Sequence, residues 1–240
     1  MCLAGAAVAA AAPAWTLAQW LMKGGRAARL VREAAEAELS GGDARAAWRK
    51  ALEADPRSAL AGVHFGLALE RAGAVEAAER QLLAVERRNR LWLPRWTLAG
   101  FYLRQGRRAE AAQWGRRALE RSYAEVRPAL FDLFVRAGVD AAEWLDWCGR
   151  DTEHLGSAIG YLAGTGRAQE LGRAVRRMAG LAPGRAPQLW RDTLYGASAR
   201  LLELDEAEAA AQAWNAVAGQ RLLPFGRIGA GNLIGNPEFQ

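Results

Sequence analysis

Histidine and cysteine are scarce in this chain: His64, His154, Cys2 and Cys148 are all it has. Neither histidine has a second His or a Cys at metal-ligand helical spacing, and His154 follows Cys148 at a separation that suits no site on one helix, so no metal centre is expected. Cys2 sits in an apolar start and Cys148 among tryptophans, which argues against a structural disulfide and leaves the redox compartment open. Val, Ile, Thr and Tyr are sparse while Ala, Leu, Glu and Arg dominate, and that bias disfavours strands and favours helices, because unbranched side chains lose little rotamer freedom there. Lysine is confined to Lys23 and Lys50, so the net charge of +6 is carried by arginine. A basic balance suits nucleic acid or an anionic surface. The arginines are interleaved with Glu and Asp, however, which describes a solvated, ion-paired helix surface.

Catalytic constellations are also missing. Gly196-Ala-Ser198-Ala-Arg200 falls one residue short of a nucleophile elbow and lies in a helical pattern. No Gly-rich loop ends in Lys-Ser or Lys-Thr, and Gly229-Ala-Gly231 does not extend to a dinucleotide fingerprint. The carboxylate pairs Glu33 with Glu36 and Glu206 with Glu208 sit among arginines on helical faces. His64 precedes Phe65-Gly66 within a helix and reads as a packing or surface residue. The expectation is a chain with no enzyme activity and no cofactor.

Charge is absent from Cys2 to Met22, after which come Lys23 and Arg26. A helix of about 20 apolar residues spans a bilayer, and Trp15, Trp20 and the following cations suit its interface. A cleaved signal peptide is the rival reading: Ala12-Pro13-Ala14 offers small residues for cleavage, but no positive segment precedes the run. Residues 1–25 are therefore read as an apolar helix acting as membrane anchor or signal, with membrane association through residues 2–22.

What the sequence has in abundance is periodicity. Turn glycines recur at Gly41-Gly42, Gly73, Gly106, Gly138 and Gly166, at intervals of 31, 33, 32 and 28 residues counted from Gly42. Two Ala-rich amphipathic segments fill each interval, and a period near 34 residues with two helices per unit is that of tetratricopeptide arrays. The clearest unit runs from Trp96 to Leu119, with Leu98, Ala99 and Tyr102 in its first helix, a turn at Gln105-Gly106, then Ala111 and Ala118. The preceding unit carries Phe65-Gly66, Leu69, Gly73, Ala78 and Leu82. An earlier one carries Ala44, Trp48, Ala51 and the terminating Pro56. On these residues the chain resembles the tetratricopeptide repeat family. Small residues such as Gly66, Ala78, Ala99 and Ala111 let paired helices approach, and Trp48, Leu82 and Tyr102 fill the space to the next pair.

Further pairs follow by spacing: Arg127 to Ala137 with Asp140 to Gly149, Asp151 to Gly164 with Arg167 to Ala179, and Gln188 to Glu203 with Asp205 to Ala218. The expected fold is all-α, a right-handed α-solenoid of about six antiparallel helix pairs over residues 26–219. Residues 220–240 form a Gly-rich irregular tail. Within it, Asn232 to Phe239 resembles the opening strand of carbohydrate-binding-type β-sandwich modules, with Pro237 where glycine is commoner and Gln240 replacing the usual Glu.

The resemblance implies partner binding on the concave face lined by first helices, which here includes Val63, Leu67, Glu70, Arg71, Trp96, Gly100 and Arg104. The Lys and Asn residues of the family's carboxylate-clamp subtype are absent from these positions. Tryptophans near arginine clusters (Trp92, Trp96 and Trp114) suit phosphate, sugar or peptide contacts, while Trp48 and Trp114, on second helices, read as core. The functional expectation is a non-catalytic scaffold for protein, peptide or polysaccharide partners at the bacterial inner membrane or periplasm, in polysaccharide assembly or export. Two alternatives stay open: a soluble helical-repeat binder of nucleic acid or another polyanion, and part of a glycan-active enzyme.

Overall fold

The computed structural model describes residues 25–183, 186–220 and 226–227. The expected apolar N-terminal helix and the β-module-like stretch at Asn232–Phe239 lie outside the described residues. Within them the chain is all-α, with twelve α-helices, a single 3₁₀ turn and no strand. It divides between Val126 and Arg127 into two compact units. Among the described residues, no helix is long and apolar enough to cross a membrane.

The first unit holds α1 (Arg26–Leu39), α2 (Arg45–Ala54), α3 (Ala59–Arg71), α4 (Val75–Arg88), α5 (Trp92–Arg104) and α6 (Arg108–Leu119), closed by the 3₁₀ turn Ala124–Val126. The second holds α7 (Arg127–Ala137), α8 (Ala141–Cys148), α9 (Thr152–Thr165), α10 (Ala168–Ala179), α11 (Pro187–Glu203) and α12 (Ala207–Gly219). Local chemistry sets several of the boundaries. The Ser58 hydroxyl accepts from the Ala61 amide, Asp140 caps α8 through the Ala142 amide, and Asp151 caps α9 through the Glu153 and His154 amides. Pro187 opens α11 at a position where its missing N–H costs nothing.

Every odd-numbered helix ends in the same way. In α3, the Gly73 amide donates to the Glu70 carbonyl and the Ala74 amide to the Leu69 carbonyl. The same pair of bonds recurs at Gly41 and Gly42, Gly106 and Arg107, Gly138 and Val139, Gly166 and Arg167, and Asp205 and Glu206. This is the Schellman arrangement, which satisfies the last helical carbonyls and turns the chain back on itself through one left-handed residue. The left-handed residue is Gly41 (φ 76°) in the first turn, not Gly42, so the first interval is 32 residues. In the last turn it is Asp205, at φ 60°. Spacing expects Asp205 to open the last helix; the structure instead makes it the left-handed turn residue ahead of α12, a role that turn glycines alone do not reveal.

In the first unit each helix packs on the next in sequence, and α3 also touches α5. In the second, α9 touches both α7 and α11, while α10 touches both α8 and α12, so first helices meet first helices and second meet second. The cores are small-residue seams filled by occasional large rings. Ala34, Ala51, Ala78, Ala99 and Ala111 are fully buried, and so in effect is Trp48. At the α3–α4 crossing, glycine is required by contact. A Cβ on Gly66 would lie 2.6 Å from Leu82 Cδ2, and one on Gly62 would lie 2.5 Å from Val85 Cγ2. In the second unit, Phe131 stacks on Trp144 with ring centres 5.0 Å apart, and Trp190 Nε1 donates to the Met178 carbonyl at 3.0 Å.

Candidate functional site

The face formed by α1, α3 and α5 begins with two carboxylates, each three residues before a turn glycine. Glu38 is the next-to-last residue of α1 and Glu70 the next-to-last of α3. In each case the partner is an arginine near the end of the next odd helix. Arg71 Nη2 donates to Glu38 Oε1 at 2.7 Å. Arg104 meets Glu70 as a two-point fork, Nε to Oε1 at 2.9 Å and Nη2 to Oε2 at 2.7 Å. The sequence separations are 33 and 34 residues, so the ladder advances by one repeat at each rung. In both rungs the carboxylate is the more enclosed partner, while the arginines are about half exposed.

Glu38 gathers more than its arginine. Trp48 Nε1 donates to Glu38 Oε2 at 2.6 Å, and His64 Nδ1 lies 3.1 Å from the same oxygen. An ionised carboxylate only accepts, so His64 carries its proton on Nδ1 in this bond. The imidazole also stacks on the Trp48 ring, with centres 4.6 Å apart. Burial alone would raise the Glu38 pKa. The His64 charge and the hydrogen bonds from Trp48, Arg71 and His64 outweigh it and hold the pKa below its ordinary 4.5. His64 is thus a packing residue with a polar duty, fastening α3 to α1 and α2.

A second network lies at the neighbouring turn. Tyr102 Oη and Arg107 Nη1 both donate to Glu79 Oε1, at 2.7 and 3.0 Å, and the Arg107 guanidinium lies 4.4 Å from the Tyr102 ring centre. Burial, then the bond to Glu79, pushes the Tyr102 pKa up to about 12.

Of the residues expected to line a binding face, the structure places Leu67, Glu70, Trp96 and Gly100 as half-buried and Arg71 and Arg104 as exposed. Val63 departs from expectation. It is 2% exposed and belongs to the core beneath the face. Glu70, Gly100 and Arg104 act together: a Cβ on Gly100 would lie 3.2 Å from Arg104 Nη1, so the small residue leaves room for the guanidinium that reaches Glu70. Glu38, Trp48 and His64 were not anticipated as a cluster. The signal that could have found them is the repeat itself, with an acid three residues before one turn glycine and an arginine two before the next.

A cleft of about 610 Å³ between the first turn of α1 and the last of α2 is lined by Arg26, Ala27, Leu30, Lys50, Glu53 and Ala54, which offer no nucleophile with an adjacent base. Cys148 is buried, and burial pushes its thiol up to about 12. Among the described residues no group of three His, Cys, Asp or Glu side chains is placed to hold a metal. The sequence matches no protein-family model and no curated protein.

Proposed function

We propose that this chain is a non-catalytic scaffold of the tetratricopeptide type, a right-handed α-solenoid that presents the α1, α3 and α5 face to a protein or peptide partner at the bacterial cell envelope, in the context of polysaccharide assembly or export. The single observation that carries this reading is the repetition of one turn motif. The same two Schellman bonds close every first helix, and the left-handed residues fall at 41, 73, 106, 138, 166 and 205. Two features support it further. The Glu38–Arg71 and Glu70–Arg104 rungs step by one repeat, and first-on-first, second-on-second packing in the second unit is how stacked helix pairs bury a continuous core. The face offers half-buried Leu67 and Trp96 beside charges already held in place, so a partner would meet an ordered surface and lose less entropy on binding.

Site-specific photo-crosslinking in cells tests this. Photoreactive residues at Leu67 and Trp96, on first helices, should capture the same discrete partner. The same residue at the exposed Gln113 on α6 should capture none. Equal capture at all three positions, or capture only from Gln113, would contradict the assigned face.

A further inference from the structure

The Schellman turns lie at one end of the first unit's helix pairs. The opposite end is built from the last turns of α2, α4 and α6 and the first turns of α3 and α5. Arg95, in the first turn of α5, ties this end together. Its Nε meets Glu86 Oε1 of α4 at 3.1 Å, and its Nη1 donates to the Arg117 carbonyl of α6 at 2.9 Å. Arg88 Nη1 reaches the Pro56 carbonyl in the α2–α3 link at 3.4 Å. The last turn of α4, the α4–α5 link and the end of α6 are therefore neighbours.

Arg95 is spoken for by acids, but the residues around it are not. Arg87, Arg90, Arg116 and Arg121 are exposed and form no ion pair among the described residues, and Arg88 bonds only a neutral carbonyl. Arginine at helix C-termini answers the helix dipole and by itself implies no ligand. The dipole does not account for two exposed apolar side chains at the same end. Leu91, next to Arg90, is 56% exposed, and Tyr123, two residues after Arg121, is 60% exposed. Both sit in links at this same end. Exposed apolar side chains close in sequence to exposed arginines match the chemistry of an anionic bilayer surface, where apolar tips enter the boundary of headgroup and acyl chain and arginines bond lipid phosphates. A nucleic acid or soluble acidic polymer would engage the cations and leave Leu91 unused.

We propose that this end of the first unit docks on anionic membrane surfaces, with Leu91 and Tyr123 entering the interface and Arg87, Arg90, Arg116 and Arg121 on lipid phosphates. The contact is separate from residues 2–22, and it does not depend on the scaffold reading.

Co-sedimentation of the full chain with phosphatidylcholine vesicles, with and without phosphatidylglycerol, tests it. The chain should prefer the anionic vesicles. Arg87→Glu, Arg90→Glu and Arg121→Glu combined should weaken that preference by about tenfold or more. Leu91→Ser with Tyr123→Ser should weaken it to a similar degree. A control with the same change in net charge, Arg29→Glu, Arg32→Glu and Arg173→Glu, should keep it, and circular dichroism should show all three variants as helical as the parent. Association that ignores lipid charge, or that the control lowers as much as the rim variant, would overturn the proposal. Unchanged vesicle binding by the Leu91/Tyr123 variant would overturn the membrane assignment in favour of a soluble polyanion.

Discussion

At the scale of single residues, the protein is governed by where a methyl group fits. Gly66 sits against Leu82 Cγ and Cδ2 in a seam with no room, whereas Gly160, on the exposed side of α9, has open space around its Cα. Helix propensity favours alanine over glycine by about 1 kcal/mol at both. Overpacking at Gly66 costs about 1–3 kcal/mol and reverses the sign there. Gly66→Ala should therefore lower the urea midpoint and Gly160→Ala should raise it, read by far-UV circular dichroism. Glu38 is the other residue with a disproportionate role. Replacing it with Gln keeps the shape but weakens three charge-assisted bonds, at an expected cost of about 1–2 kcal/mol at neutral pH. Because the folded pKa of Glu38 is depressed, its contribution is complete above the ordinary value of 4.5 and is lost as pH falls through the folded value. The stability gap between parent and Glu38→Gln should thus be constant near neutrality and shrink below pH 4.5. A gap that widened on acidification would contradict this assignment.

At the scale of elements, the helix pairs were largely legible in the sequence, and the reasons are local. Turn glycines, Ala-rich stretches and Pro56 act through backbone conformation and propensity, which a linear reading captures. The helices α7 to α11 fall close to the spans expected from spacing. Three features were not legible. Asp205 takes the left-handed conformation that glycine takes in the five other hairpin turns, and Asp carries that role without announcing it. Val63 has the helical position of a face residue, yet how α3 packs buries it. The Glu38 cluster draws one residue from each of α1 and α2 and two from α3, so it exists only after packing. The turn motif itself can be tested. An alanine at Gly73, where φ is 77°, pays for a left-handed Cβ and should destabilise by about 1–2 kcal/mol. Asp205→Gly should be neutral or stabilising, with chemical denaturation as the readout. A loss at Asp205→Gly matching that at Gly73→Ala would show that Asp205 is held for another reason.

At the scale of the whole molecule, stability is assembled from neighbouring helix pairs. In the first unit the helices pack on those adjacent or next-but-one in sequence, and the ion pairs that join different helices among the described residues span at most one repeat. An array of this kind should hold its fold in pieces, because each pair depends on its neighbours and on nothing distant. The scaffold reading and its partner-facing surface both rest on that property. The most direct measurement is urea denaturation of residues 25–126 expressed alone, followed by far-UV circular dichroism. The fragment should be helical and unfold in one cooperative transition, at a lower midpoint than the full chain. A fragment without helix, or one that melts gradually with no transition, would contradict it.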